Sequence, residues 1–136
     1  GCCPFHGNCL EGLASGPAIR KRWGLAGEEL VPNHPAWELE AHYLARLCVN
    51  LTCCYAPEKI IFGGGVMQQK QIFPALHKEF LTLMAGYMPA LNDRTVGRYI
   101  VPAALGGDAA TRGGLIMAQQ LYARRNETSI SAGTGP

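Results

Sequence analysis

At 136 residues, 48% hydrophobic and 16% charged, the chain has the size and composition of one globular domain or a piece of one, and not of a disordered segment. Twelve Lys/Arg against ten Asp/Glu leave a formal charge of +2 with no long basic run, too little to neutralise a nucleic-acid backbone. Apolar stretches break well short of the about 20 residues that span a bilayer, so neither nucleic acid nor membrane is expected as a partner.

The first element is a loop, Cys3-Pro-Phe-His-Gly-Asn-Cys9, followed directly by Leu10-Glu11-Gly12. Two residues separate each of Cys3, His6 and Cys9, and a tight turn bearing Pro and Gly can aim two thiolates and an imidazole at one point. That is the sulfur and nitrogen set tetrahedral zinc prefers. Adjacent side chains point apart, so Cys2 is a poor fourth ligand and an upstream residue is expected instead. A disulfide among Cys2, Cys3 and Cys9 is the competing reading, but it leaves His6 unexplained. The chain shows no secretory signal, and Cys48, Cys53 and Cys54 fall in an apolar helical pattern that suits free thiols. A reducing, cytoplasmic setting is therefore expected.

Ser15-Gly16-Pro17 predicts a helix start, with Ser15 as cap and Pro17 in the first turn, and Gly24 ends that helix after Trp23. Its Arg20-Lys21-Arg22 cluster is expected on a solvated face. From Ala36, apolar residues at Trp37, Ala41, Leu44, Leu47, Cys48, Leu51 and Cys54 recur at three- and four-residue steps, which predicts a long amphipathic helix stopped by Pro57. Lys59-Ile60-Ile61-Phe62 is a short β-branched and aromatic run ending in Gly63-Gly64-Gly65, a buried strand by length and flanks. A further helix carries Phe73, Leu76, Phe80, Leu83, Met84 and Tyr87 on one face, with Pro74 in its first turn. Tyr99 to Ala104 is the second strand. Gly106-Gly107-Asp108 leads to a last helix expected to turn Leu115, Ala118 and Tyr122 inward, and a flexible polar tail is expected over 124–136.

Strands alternating with helices imply an α/β fold with a parallel sheet, yet two strands are few for this much apolar helix surface, so further strands are expected outside this sequence. Ligands of open α/β sheets collect at the carboxyl ends of strands, where Gly63-Gly64-Gly65 and Gly106-Gly107-Asp108 occupy equivalent positions. Two such turns favour a nucleotide, although neither matches the Walker lysine pattern or the dinucleotide fingerprint. A close-packed turn without a ligand is the alternative.

Four ordered blocks carry a family resemblance: Cys3-Pro-Phe-His-Gly-Asn-Cys-Leu-Glu-Gly-Leu-Ala-Ser-Gly-Pro-Ala-Ile19, Ala36-Trp-Glu-Leu-Glu-Ala41, Pro57-Glu-Lys-Ile-Ile-Phe-Gly-Gly-Gly-Val-Met67 and Tyr99-Ile-Val-Pro-Ala-Ala-Leu105. Together they resemble the ROK family, most closely its zinc-containing bacterial fructokinases, over nearly the whole chain to about Tyr122. The resemblance implies an actin-like, RNase H-type two-domain sugar kinase dependent on ATP and magnesium, homodimeric, with residues 1–123 as the carboxyl-terminal part of its second domain. It implies a structural zinc on Cys3, His6, Cys9 and an upstream histidine. Glu11 matches the family carboxylate that hydrogen-bonds sugar hydroxyls, and Gly63, Gly64 and Gly65 match the nucleotide-binding turn.

The family's phosphate-binding motif, catalytic-base aspartate and sugar-binding Glu-x-Gly-His segment all precede the zinc loop and are expected upstream of residue 1. Gly106-Gly107-Asp108-Ala109-Ala110-Thr111-Arg112 only approximates the family's Gly-x-Asp-Ala-Gly turn. Taken alone, without the resemblance, Glu11 reads as a solvated first-turn helix carboxylate. The expected function is ATP-dependent phosphorylation of a hexose, D-fructose favoured, by the parent protein, with this segment inactive by itself. The alternatives are the sugar-sensing half of a ROK-type transcription repressor and a stand-alone zinc-stabilised interaction module.

Overall fold

The computed structural model describes residues 1–132, with side chains as far as Arg124. Its helices are α1 (Leu10–Ala14), α2 (Gly16–Trp23), α3 (Ala36–Tyr55), α4 (Ile72–Met84), α5 (Val96–Tyr99) and α6 (Ala109–Ala132). Strands β1 (Ile60–Phe62) and β2 (Ile100–Pro102) form a parallel pair with Ile60 opposite Ile100 and Phe62 opposite Pro102. The amide of Ala103 donates to the Phe62 carbonyl at 2.7 Å, carrying the ladder one residue past β2. Single 3-10 turns fill Gly27–Glu29, Val66–Gln68 and Gly106–Asp108. The expected order of helices and strands is therefore present, with the two short helices α1 and α5 added.

Local chemistry explains the boundaries. Ser15 Oγ accepts a hydrogen bond from the Ala18 amide at 3.3 Å, Pro17 occupies the first turn, and Gly24 closes α2 at φ +78, in the left-handed region where a glycine costs least. Ala56 ends α3 just before Pro57, whose ring disfavours helical geometry in the residue preceding it.

The core lies between α3 and α4. Trp37, Ala41, Leu44, Ala45 and Cys48 of α3 are buried against Ile72, Phe73, Leu76, Phe80 and Met84 of α4, and Ile60, Tyr99 and Ile100 close the cluster at the sheet. Two polar contacts pin the sheet to the helices. The Tyr99 and Thr52 hydroxyls meet at 2.9 Å while Thr52 also donates to the Cys48 carbonyl at 2.7 Å, and His77 Nε2 donates to the Ile100 carbonyl at 2.9 Å.

Three expectations about burial are corrected. Leu115 and Tyr122 of α6 are 60% and 71% exposed, and every described α6 residue from Gly114 onward, Ala118 included, faces outward. Helical periodicity says which residues share a face, but no described element covers this one. Tyr87 is exposed because α4 stops at Met84 and the left-handed Ala85 and Gly86 turn the chain away, and Leu83 sits at the edge of the buried stripe. Cys53 and Cys54 are exposed in the last turn of α3, while Cys48 is buried with its thiol pushed up to about 12 by desolvation. The backbone of α6 continues to Ala132, and residues 133–136 of the expected tail lie outside the described residues.

Candidate functional site

The amino-terminal loop folds back on itself. Cys3 and Gly7 exchange backbone hydrogen bonds of 3.3 and 3.0 Å, which requires Gly7 at φ +59. This turn gathers Cys3, His6 and Cys9 so that one donor atom from each lies within 4.8 Å of the others, with Cys3 Sγ 3.8 Å from His6 Nδ1. Backbone amides of His6 and Phe5 aimed at Cys3 pull its thiol below the usual value and favour the thiolate a metal needs. Zinc–sulfur bonds of about 2.3 Å and zinc–nitrogen bonds of about 2.0 Å place tetrahedral donors roughly 3.5 to 3.8 Å apart. The Cys3–His6 pair is at that spacing and all three donors lie within 4.8 Å, a donor set whose chemistry suits zinc. All six cysteines are free, against the disulfide reading, and Cys2 lies outside the cluster.

The loop rests on α1. The Cys2 amide donates to the Gly12 carbonyl at 2.8 Å, and Gly12 is buried so closely under the loop that a Cβ there would collide with the Gly7 carbonyl oxygen and lie 2.9 Å from the Cys3 side chain. The Cys3–Cys9 loop and α1 are thus one unit, and Glu11 sits in it, exposed, one residue from that contact.

Glu11, Ser15 and Gly16 line a cleft of about 440 Å³ that is also lined by Gly63, Gly64 and Gly65. The structure therefore brings the candidate sugar contact and the candidate nucleotide turn to one opening, from positions some fifty residues apart in sequence. A neighbouring cavity of about 310 Å³ joins Gly63 and Gly64 to Gly106 and Gly107, beside Lys70. Both glycine turns follow parallel strands, so both present backbone at the same end of the sheet, and Gly64 at φ +94 leaves its turn without side-chain bulk. Asp108 is exposed and meets Arg112 only at 4.0 Å.

Sequence reasoning missed one charged pair. Arg22, expected on a solvated face, is half-buried: its Nη1 donates to Glu40 Oε1 at 3.0 Å and its Nη2 to the Leu13 carbonyl at 3.0 Å, with Cζ 5.6 Å from the Tyr43 ring centre. Glu40 is 0% exposed, and burial pushes its carboxyl up to about 7 against the opposing pull of Arg22. The signal was present, since position 40 shares the apolar face of Trp37, Ala41 and Leu44. A carboxyl group there needs a partner or a proton, and Arg22 supplies the partner.

Residues 1–121 match the ROK family, and the chain belongs to it, a family of the actin-like ATPase fold. It is 48% identical over 119 residues to a fructokinase of Pediococcus pentosaceus, covering 86% of this chain and 40% of that protein. It is 45% identical over 122 residues to a putative fructokinase of Bacillus subtilis, covering 88% and 40%, and 40% identical over 125 residues to a fructokinase of Streptococcus mutans, covering 91% and 42%. The chain thus spans about two fifths of the length of these relatives.

Proposed function

We propose that the chain is the carboxyl-terminal part of a fructokinase-like ATP:hexose phosphotransferase, a homodimer when whole. The observation that carries this reading is the cleft shared by Glu11 and Gly63–Gly65, found in a ROK chain similar to several fructokinases. Those relatives' names also favour a kinase over a sugar-sensing repressor.

In this reading each group has a task suited to its chemistry. The Glu11 carboxylate accepts hydrogen bonds from sugar hydroxyls, which orients a neutral polyol better than neutral donors and acceptors do. Backbone amides and bare Cα atoms of Gly63, Gly64 and Gly65 let the adenosine end of ATP approach the sheet. Cys3, His6 and Cys9, with a fourth ligand from outside this chain, would hold zinc, whose contribution is to lock the loop on which α1 and Glu11 depend. Magnesium carried with the ATP phosphates supplies charge neutralisation. The base that takes the attacking hydroxyl's proton is an aspartate outside this chain, and phosphoryl transfer then proceeds by positioning and electrostatic stabilisation.

Steady-state kinetics of the full-length protein with fructose and ATP tests the assignment. Glu11→Gln is expected to raise the sugar KM about tenfold to a hundredfold and to leave the ATP KM nearly unchanged, the loss of one charge-assisted hydrogen bond. Unaltered sugar kinetics would return Glu11 to an ordinary solvated carboxylate, and no fructose-dependent turnover by the wild type would reject the function.

A further inference from the structure

Helix α1 has five residues, too few to hold a helical conformation or a fixed direction by itself. Its first end is set by the metal loop. Its other end has no basic residue of its own in the last turn to meet the carbonyls left without partners there. Arg22 of α2 reaches across to fill that role, donating to the Leu13 carbonyl at 3.0 Å. The same guanidinium is anchored on α3 by Glu40 at 3.0 Å, while the Tyr43 ring lies 5.6 Å from Cζ. Glu40 in turn cannot move cheaply: it is 0% exposed in the wall of the α3 core, and its second oxygen has no hydrogen-bond partner among the described residues, so Arg22 is the cation that justifies its burial.

We propose that Arg22 and Glu40 are positioning residues: a planar two-pronged bridge that fixes α1, and with it Glu11, against the rigid frame of α3. Arg suits this place and Lys does not, because two acceptors on different helices must be met by two nitrogens of one rigid fork. The consequence for sugar binding rests on the kinase reading above, whereas the bridge itself does not.

Two measurements on the full-length, zinc-loaded protein separate these parts. Hydrogen exchange reads the bridge without reference to activity: Arg22→Lys is expected to speed exchange of the α1 amides about tenfold while α3 and α4 stay protected, and Lys21→Gln on the same helix is expected to change nothing. Kinetics reads the consequence, a sugar KM raised about tenfold or more with ATP KM within about twofold of wild type. Glu40→Gln, which keeps an acceptor for Arg22, is expected to shift both readouts less and in the same direction, and serves if Arg22→Lys does not fold. Unchanged α1 exchange overturns the bridge. Uniformly faster exchange in all helices, or parallel rises in both KM values, reduces the pair to a general structural one and also overturns it. Faster α1 exchange with an unchanged sugar KM in an active enzyme rejects the link to Glu11. Faster exchange in a protein with no wild-type sugar turnover leaves the bridge standing and removes the kinase reading instead.

Discussion

Gly12 shows how one missing side chain can govern a site. The Cys3–Cys9 loop packs so closely over it that even a methyl group meets backbone at Gly7, which unlike a flexible side chain cannot swing aside. Gly12→Ala is therefore expected to lift the loop from α1, and Gly12→Val to do so more severely. In the full-length protein both should lose zinc, read by elemental analysis, and raise the sugar KM, while the buried α3 and α4 core keeps its near-ultraviolet signature. A Gly12→Val protein with full zinc content and wild-type kinetics would contradict the coupling of loop to helix. At this scale the sequence was most informative about the Cys/His group: Cys3, His6 and Cys9 are close in the chain, so a tight turn gathers their donor atoms. Gly12 escaped notice because a small residue in a short helix carries no sign of what will press on it.

Among the elements, the seam joining α2 and α3 carries a pH dependence. Burial pushes the Glu40 carboxyl up to about 7 in the folded chain, from its ordinary value of 4.5. Between those values the folded chain holds a proton that the unfolded chain releases, so this group's stabilisation is complete below about 4.5 and is lost as pH rises to about 7. Relative to Glu40→Gln, which has no proton to lose, the wild type should lose melting temperature from pH 5 to pH 7 and run parallel above pH 8. A difference curve flat across pH 5 to 7 would show that Glu40 does not titrate there. Local rules served well for the boundaries of α2 and α3, since Ser15, Gly24 and Pro57 act on their own neighbours. The Arg22–Glu40 pair joins residues eighteen apart in the chain, beyond the reach of any local rule.

For the whole molecule, the apolar surface of α6 is decisive. Leu115, Ile116, Met117, Leu121 and Tyr122 are each more than half exposed, as is Ile61 on β1, and among the described residues the sheet has two strands of three residues. Surface of this kind on a short sheet needs a cover. The 136-residue chain prepared by itself is expected to self-associate and to show no fructose-dependent ATP consumption. Sedimentation giving a monodisperse monomer, together with a single cooperative calorimetric transition, would show instead that it is a self-sufficient domain.

The sequence by itself determined the longer helices, the two strands with their parallel pairing and the closeness of Cys3, His6 and Cys9, because each follows from spacing along the chain: three- and four-residue steps for the helices, β-branched runs bounded by glycine for the strands, and two-residue gaps for the Cys/His group. The family, too, was legible from four ordered blocks, and the match over residues 1–121 bears it out. Only the tertiary structure decided which apolar faces are covered, and it alone brought Glu11 and Gly63–Gly65 to one cleft and turned Arg22 inward to Glu40. Those outcomes depend on how α1, α2, α3 and the sheet pack together, and burial is a property of the partner surface as much as of the residue itself.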